Sequence, residues 1–234
     1  MPHLDELGAF LADLLGSAGH PDDVAVVYRA SDRLVTRLGL VLEPWPGLGQ
    51  WAQAERLDAL FLHRPWTLDQ HMLAPGVGVV ASHRAFDERM TLGFNRDLAV
   101  ALDLSDLDMF GTRDGRPIGM LGTIPAQSFA AYAERLQTVF GGLDDARHGR
   151  HGRASRVAVV GAMTARLVRE AAERQFDVYV TGQWRRPADA AVLATGINVA
   201  VVGHRRSEAW GLHRLARHVQ EQWPTLHVVL PIVV

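Results

Sequence analysis

The chain has 234 residues, 48% hydrophobic and 21% charged, enough for one large globular domain or two small ones. Its 24 basic and 26 acidic residues balance to a net charge of −2, which marks neither a general nucleic-acid binder nor a membrane-surface binder. There is no cysteine, which excludes disulfides, thiolate metal sites and cysteine nucleophiles; there is also no lysine, which excludes a Walker-type phosphate loop and a Schiff base.

In chain order, Leu4, Leu7, Phe10, Leu11, Leu14 and Leu15 recur at helical spacing and predict an amphipathic helix ended by Gly16. The stretch Arg33 to Glu43 is rich in β-formers. Ala59 to Leu62 and Gly76 to His83 are short apolar runs that predict buried strands, and Leu92 to Leu104 predicts a helix opening at Asn95 or Asp97. Met109 to Ile124 combines glycine turns with short apolar pieces and predicts a hairpin. The segment from Ser128 predicts a helix using Phe129, Tyr132, Ala133, Leu136 and Phe140, stopped by Gly141 and Gly142. Arg147 to Arg156, RHGRHGRASR, is a polar, basic joint that predicts an exposed linker. Strands then alternate with helices to the C-terminus: Arg156 to Gly161, Phe176 to Gly182 and the run INVAVVG as strands, with a last helix after Ser207. The apolar end, Leu226 to Val234, predicts a final core strand. The expected fold class is α/β, two related α/β domains with an internal pseudo-repeat. The expected boundaries are 1–108 for the N-terminal half, 109–155 for hairpin, helix and joint, and 156–234 for the C-terminal half.

The repeat carries the functional reading. Each half has an Asp opening a buried strand, then a second buried strand ending in a small residue followed by His-Arg-x-x-acid. The aspartates, Asp58 and Asp177, lie 119 residues apart; the histidines, His83 and His204, lie 121 apart. In open α/β sheets ligands bind at the carboxyl ends of strands. His83 with Asp87, and His204 with Glu208, each place one nitrogen and one carboxylate there, and a helical turn brings residues four apart to one point. His63 ends a further strand. Three histidines and two carboxylates without thiolate suit one or two divalent ions of Zn, Fe, Mn, Co or Ni. Taken singly, either His-x-x-x-acid pair reads as a surface ion pair; its recurrence in both halves favours metal.

At these residues the sequence resembles the NIF-three-like proteins, the dinuclear metal centre group also known as GTP cyclohydrolase I type 2 homologues. The resemblance rests on LDALFLHRPW, GVVASHRAFDERMTLGFNRDLAVALDL, RVAVVGAMTARLVREAAERQFDVYVTGQ and the segment from Gly196 to Val229. It implies two related α/β domains facing a shared metal cleft, a hexameric ring, and the metal ligands His63, His83, Asp87, His204 and Glu208. The first quarter lacks the family's usual opening motif, and two positions depart from the pattern. His63 is followed by Arg64, which cannot ligate a metal, and Gln183 stands where an acid is usual. Either loss bears on whether one, two or no ions bind. Arg64, Arg185 and Arg186 are the alternative, as binders of an anionic group on a small-molecule substrate. The reading is therefore a metal-dependent hydrolase of a nucleotide-like or phosphorylated small molecule, with no catalytic residue assigned. A non-catalytic metal-binding ring, scaffold or sensor is the alternative. The opening MPHLDELGAF lacks a secretory-signal pattern and no apolar run approaches the roughly 18 residues of a membrane span, so the expected location is cytoplasmic.

Overall fold

Apolar runs of four residues, too short for core helices, become strands buried on both faces, and the amphipathic stretches between them become the helices that cover those faces. The computed structural model describes residues 1–16 and 26–231. The last three residues of the apolar C-terminal run, 232–234, lie outside them. In chain order the elements are α1 (Leu4–Leu15), β1 (Val26–Arg29), β2 (Arg37–Val41), α2 (Leu48–Ala54), β3 (Ala59–Leu62), β4 (Gly78–Ala81) and α3 (Arg84–Met90). Then follow α4 (Arg96–Ala101), β5 (Ser105–Arg113), β6 (Arg116–Ser128), α5 (Phe129–Phe140), β7 (Asp145–Arg147), β8 (Arg153–Val160) and α6 (Ala165–Glu173). The chain closes with β9 (Val178–Thr181), α7 (Asp189–Thr195), β10 (Asn198–Val201), α8 (His204–Gln222) and β11 (His227–Val229).

Two compact units result, Met1–Phe86 with Gly211–Val234, and Asp87–Trp210. The first holds a five-stranded sheet in the order β1-β4-β3-β2-β11, parallel except for β1. Its α1 is amphipathic, burying Leu4, Leu7, Leu11 and Leu15, and ends where Gly16 takes the left-handed conformation at φ 62° and donates to the carbonyls of Ala12 and Asp13. A second core forms where Leu48 and Ala52 of α2 meet Leu60, Leu62 and Val79 of the sheet.

The second unit holds a six-stranded sheet, β5-β6-β8-β9-β10-β7, whose β8, β9 and β10 are parallel. Alternation decides its two faces. Val157, Val159, Val178, Val180 and Ala200 point into one core with Tyr132 and Leu136 of α5. Ala158, Val160, Tyr179, Val199 and Val201 point into the other with Leu167, Val168 and Ala171 of α6. The hairpin expected at Met109 to Ile124 is β5–β6, turning at Asp114-Gly115. The basic segment expected as a linker is instead a return between β7 and β8 held to the start of β10: Gly149 N donates to Asn198 Oδ1 at 2.8 Å and Arg150 N to Gly196 O at 2.8 Å. Its charges are engaged too, with Arg147 lying 3.5 Å over the Trp184 ring and Arg153 bridged to Asp177.

The internal repeat is structural and longer than its sequence signature. The order α1-β1-β2-α2-β3-β4-α3 matches α5-β7-β8-α6-β9-β10-α8, with α7 added to the second crossover. The leading edge strand is antiparallel in both, β1 to β4 and β7 to β10. The register repeats as well: Leu38 pairs Ala59 as Val157 pairs Val178. Asp58 Oδ2 accepts from Thr36 N, Thr36 Oγ1 and Arg37 N; the Asp177 carboxylate accepts from Ser155 N, Ser155 Oγ and Arg156 N. The two opening aspartates are therefore clamps, each tying one strand to the start of its neighbour.

Candidate metal centre

His63 follows β3 directly. Its amide donates to Val41 O at 3.1 Å, so the residue continues the sheet's hydrogen bonding and its ring is fully buried. His83 follows β4 and leads into α3. These two rings come from adjacent parallel strands and lie with centroids 4.9 Å apart at 31°. Phe86, one turn along, packs on His63 at 4.7 Å and on Phe61 at 5.6 Å, so apolar contacts fix the imidazole's plane. Nδ1 of His63 lies 3.1 Å from Ser82 O. A carbonyl only accepts, so Nδ1 carries the proton and Nε2 is the nitrogen with the lone pair.

Asp87 lies one turn into α3 and is half-buried. The helix α3 begins immediately after His83, so one short element carries Asp87 just past the strand end that carries His83. One ligand atom from each of His63, His83 and Asp87 lies within 4.8 Å of the others. Two imidazole nitrogens and one carboxylate oxygen at that separation can hold one divalent ion, and three protein ligands leave coordination positions open.

The second expected pair also forms. His204 opens α8 rather than preceding it, which puts His204 and Glu208 on one helical face; Nε2 lies 3.0 Å from Oε1. This is not a surface ion pair, since the Glu208 side chain is 1% exposed while that of His204 is 59% exposed. Of the five expected ligands, then, three converge as a group and two converge as a pair.

The arginines are placed differently. Arg64 Nε lies 3.3 Å from Glu43 Oε2, and its amide donates to Leu42 O, so this side chain is held beside β2. Arg185 and Arg186 are exposed at the short turn before α7, where Arg185 N meets Met163 Sδ at 3.4 Å. Sequence reasoning did not single out Ser82, whose carbonyl sets the His63 tautomer, nor Phe86, which packs its ring. Both lie in the quoted run GVVASHRAFD, but a backbone carbonyl and an apolar side chain give no ligand signature.

Comparison with known proteins bears on the family and the fold. A sequence model of the Duf34/NIF3 (NGG1p interacting factor 3) family matches residues 64–234. A Deinococcus radiodurans protein named GTP cyclohydrolase 1 type 2 homolog is 29% identical over 148 residues, 63% of this chain and 56% of that protein. A Chlamydia pneumoniae protein of the same name is 27% identical over 157 residues, 66% of this chain and 62% of that protein. The matched part thus spans little more than half the length of these relatives. Among solved structures, TTHA1606 from Thermus thermophilus superposes over all of both chains with a TM-score of 0.77 at 21% identity. A Bacillus cereus protein related to NIF3 covers 100% of this chain and 97% of its own, with a TM-score of 0.73 at 14% identity. At such identities these two structures bear on the fold alone, and both carry it from end to end.

Proposed function

The chain belongs to the Duf34/NIF3 family, and on that premise we propose that it is a metal-dependent hydrolase acting on a nucleotide-like or phosphorylated small molecule. The observation that supports this most is the convergence of His63, His83 and Asp87. A divalent ion held by them would act as a Lewis acid and would acidify a water molecule. The protein's own part is to hold the donors in place. His63 is locked by the Ser82 carbonyl and by Phe86, and Asp87 by the helix that begins beside His83. His204 and Glu208 are proposed as the ligand pair of the second unit, Arg185 and Arg186 as exposed cations for an anionic substrate group, and a hexameric ring in the cytoplasm as the working form. Arg64, held by Glu43, is the least available of the three arginines.

Arg64 also favours a second reading, a non-catalytic metal-binding ring, scaffold or sensor. A guanidinium beside His63 donates no electron pair to a metal, and in this chain it is ion-paired to Glu43. The test is elemental analysis of protein purified without added metal, followed by a screen of nucleotides and phosphoesters with Mn, Zn or Fe. Stoichiometric metal lost in His63→Ala and Asp87→Ala, together with turnover, is the expected result. Metal without turnover leaves the second reading; no metal bound by the unaltered protein, even on titration, overturns both.

A further inference from the structure

The residue after the His63-Arg64-Pro65 stretch is a tryptophan, and most of its side chain is not used in packing. Trp66 is 64% exposed. It is nevertheless held: Pro65 and Leu68 are buried on either side, and Leu68 N closes a tight turn onto Pro65 O at 2.9 Å. The indole sits edge-on to His83, centroids 4.8 Å apart at 70°. Such a contact engages part of the ring and leaves the rest open to solvent. The other large apolar side chains exposed among the described residues of the first unit are Met1, Tyr28 and Leu34. Met1 and Leu34 belong to the opposite ends of the strands from Trp66, and Tyr28 lies within β1. Among the described residues of the first unit, Trp66 is therefore a single exposed ring at these strand ends. A stable protein interface needs about 800 Å² from each partner; one ring fits a small planar ligand.

We propose that Trp66 is a stacking platform for the substrate: the ligand of this site is a small molecule with a planar aromatic or heteroaromatic ring joined to an oxygen donor, the ring lying on the indole and the donor directed to the metal held by His63, His83 and Asp87. The proposal rests on the metal-binding reading above. Its geometry is economical because His83 is common to both ends: it is a metal-donor candidate and also the ring against which the indole is set. The turn pre-orders the indole, so little freedom is lost when a ring stacks on it. Stacking of a flat ring on an aromatic side chain contributes about 1–3 kcal/mol, which converts to roughly 5- to 150-fold in affinity.

Two probes separate the ring from the donor. Acetohydroxamate and benzohydroxamate share the same metal-chelating head and differ in the ring. Zinc-loaded full-length protein and its Trp66→Ala, Trp66→Leu and Trp66→Phe variants are titrated with each by calorimetry, after zinc content has been measured. The unaltered protein is expected to prefer benzohydroxamate by at least about fivefold. Trp66→Ala and Trp66→Leu should both lose that preference with acetohydroxamate affinity unchanged, and Trp66→Phe should keep most of it. Preservation of the preference in the alanine and leucine variants, or its absence from zinc-loaded unaltered protein, overturns the proposal and leaves the metal reading standing. Failure of the unaltered protein to bind any of zinc, iron, manganese, cobalt or nickel overturns the metal reading and the proposal with it.

Discussion

Tyr132 and Tyr179 bury their hydroxyls in the second unit on different terms. The Tyr179 hydroxyl donates to Ala162 O at 2.7 Å, whereas that of Tyr132 has no hydrogen-bond partner among the described residues. A buried hydroxyl without a partner costs about 1–3 kcal/mol, so Tyr132→Phe should leave stability unchanged or raise it. Tyr179→Phe should lower it by about 1 kcal/mol. Urea denaturation of the two variants checks this, and a larger loss in Tyr132→Phe would contradict it. Burial holds both phenols protonated far above the ordinary tyrosine range, with the charges of Asp103 and Glu170 acting in the same direction. The unfolded chain ionises them near pH 10. Their contribution is therefore complete below about pH 10 and declines as pH rises beyond it, because the unfolded state then binds fewer protons. Denaturation midpoints between about pH 8 and about pH 11 should fall less steeply in the double phenylalanine variant than in the unaltered chain.

At the scale of elements, the aspartate clamps join strands that are distant in sequence. The Asp58 side chain is 9% exposed and that of Asp177 is 17% exposed. Removing either strands two backbone N–H groups and one hydroxyl. Asp58→Ala and Asp177→Ala should each cost about 1–3 kcal/mol, with Asp58 the larger, measured by chemical denaturation. Helix α2 meets the β3–β4 crossover more closely than a side chain permits. A Cβ at Gly49 would lie 2.0 Å from Met72 O, a backbone atom that cannot swing aside. Gly49→Ala should therefore destabilise by about 1–3 kcal/mol even though alanine is the better helix former. An unchanged melting temperature would show that the crossover yields.

For the molecule as a whole, the metal reading predicts linkage. An ion that binds the folded chain and not the unfolded one stabilises it by about 2.7 kcal/mol at a hundredfold excess over its dissociation constant. Zinc or manganese should raise the melting temperature of the unaltered protein in a concentration-dependent way and leave His63→Ala unmoved. The ring reading predicts a sedimenting mass six times that of the 25.7 kDa chain. A monomer or dimer at micromolar concentration would contradict it. Among the described residues no helix is long and apolar enough to cross a membrane.

Much of this architecture was legible in one dimension. Strand periodicity located β3, β4, β9 and β10 within a residue or two, because a strand buried on both faces must be continuously apolar. The doubled His-Arg-x-x-acid singled out two pairs whose side chains the fold does bring together, His83 with Asp87 and His204 with Glu208, because a helical turn sets residues four apart on one face. What tertiary structure decided was everything set by pairing between distant segments. The repeat reaches back to α1 and α5, whose sequences share a helical pattern but few residues. The basic segment is mostly exposed, as expected, but it is a tethered return rather than a loose linker, because Asn198 and Gly196 supply its backbone partners. Arg64 turns to Glu43, 21 residues away. His63 gains its tautomer from a carbonyl on the neighbouring strand. Hydrophobic period and ligand type are properties of the chain itself; proton position, ion-pair choice and the exposure of Trp66 arise only when folding supplies the neighbours.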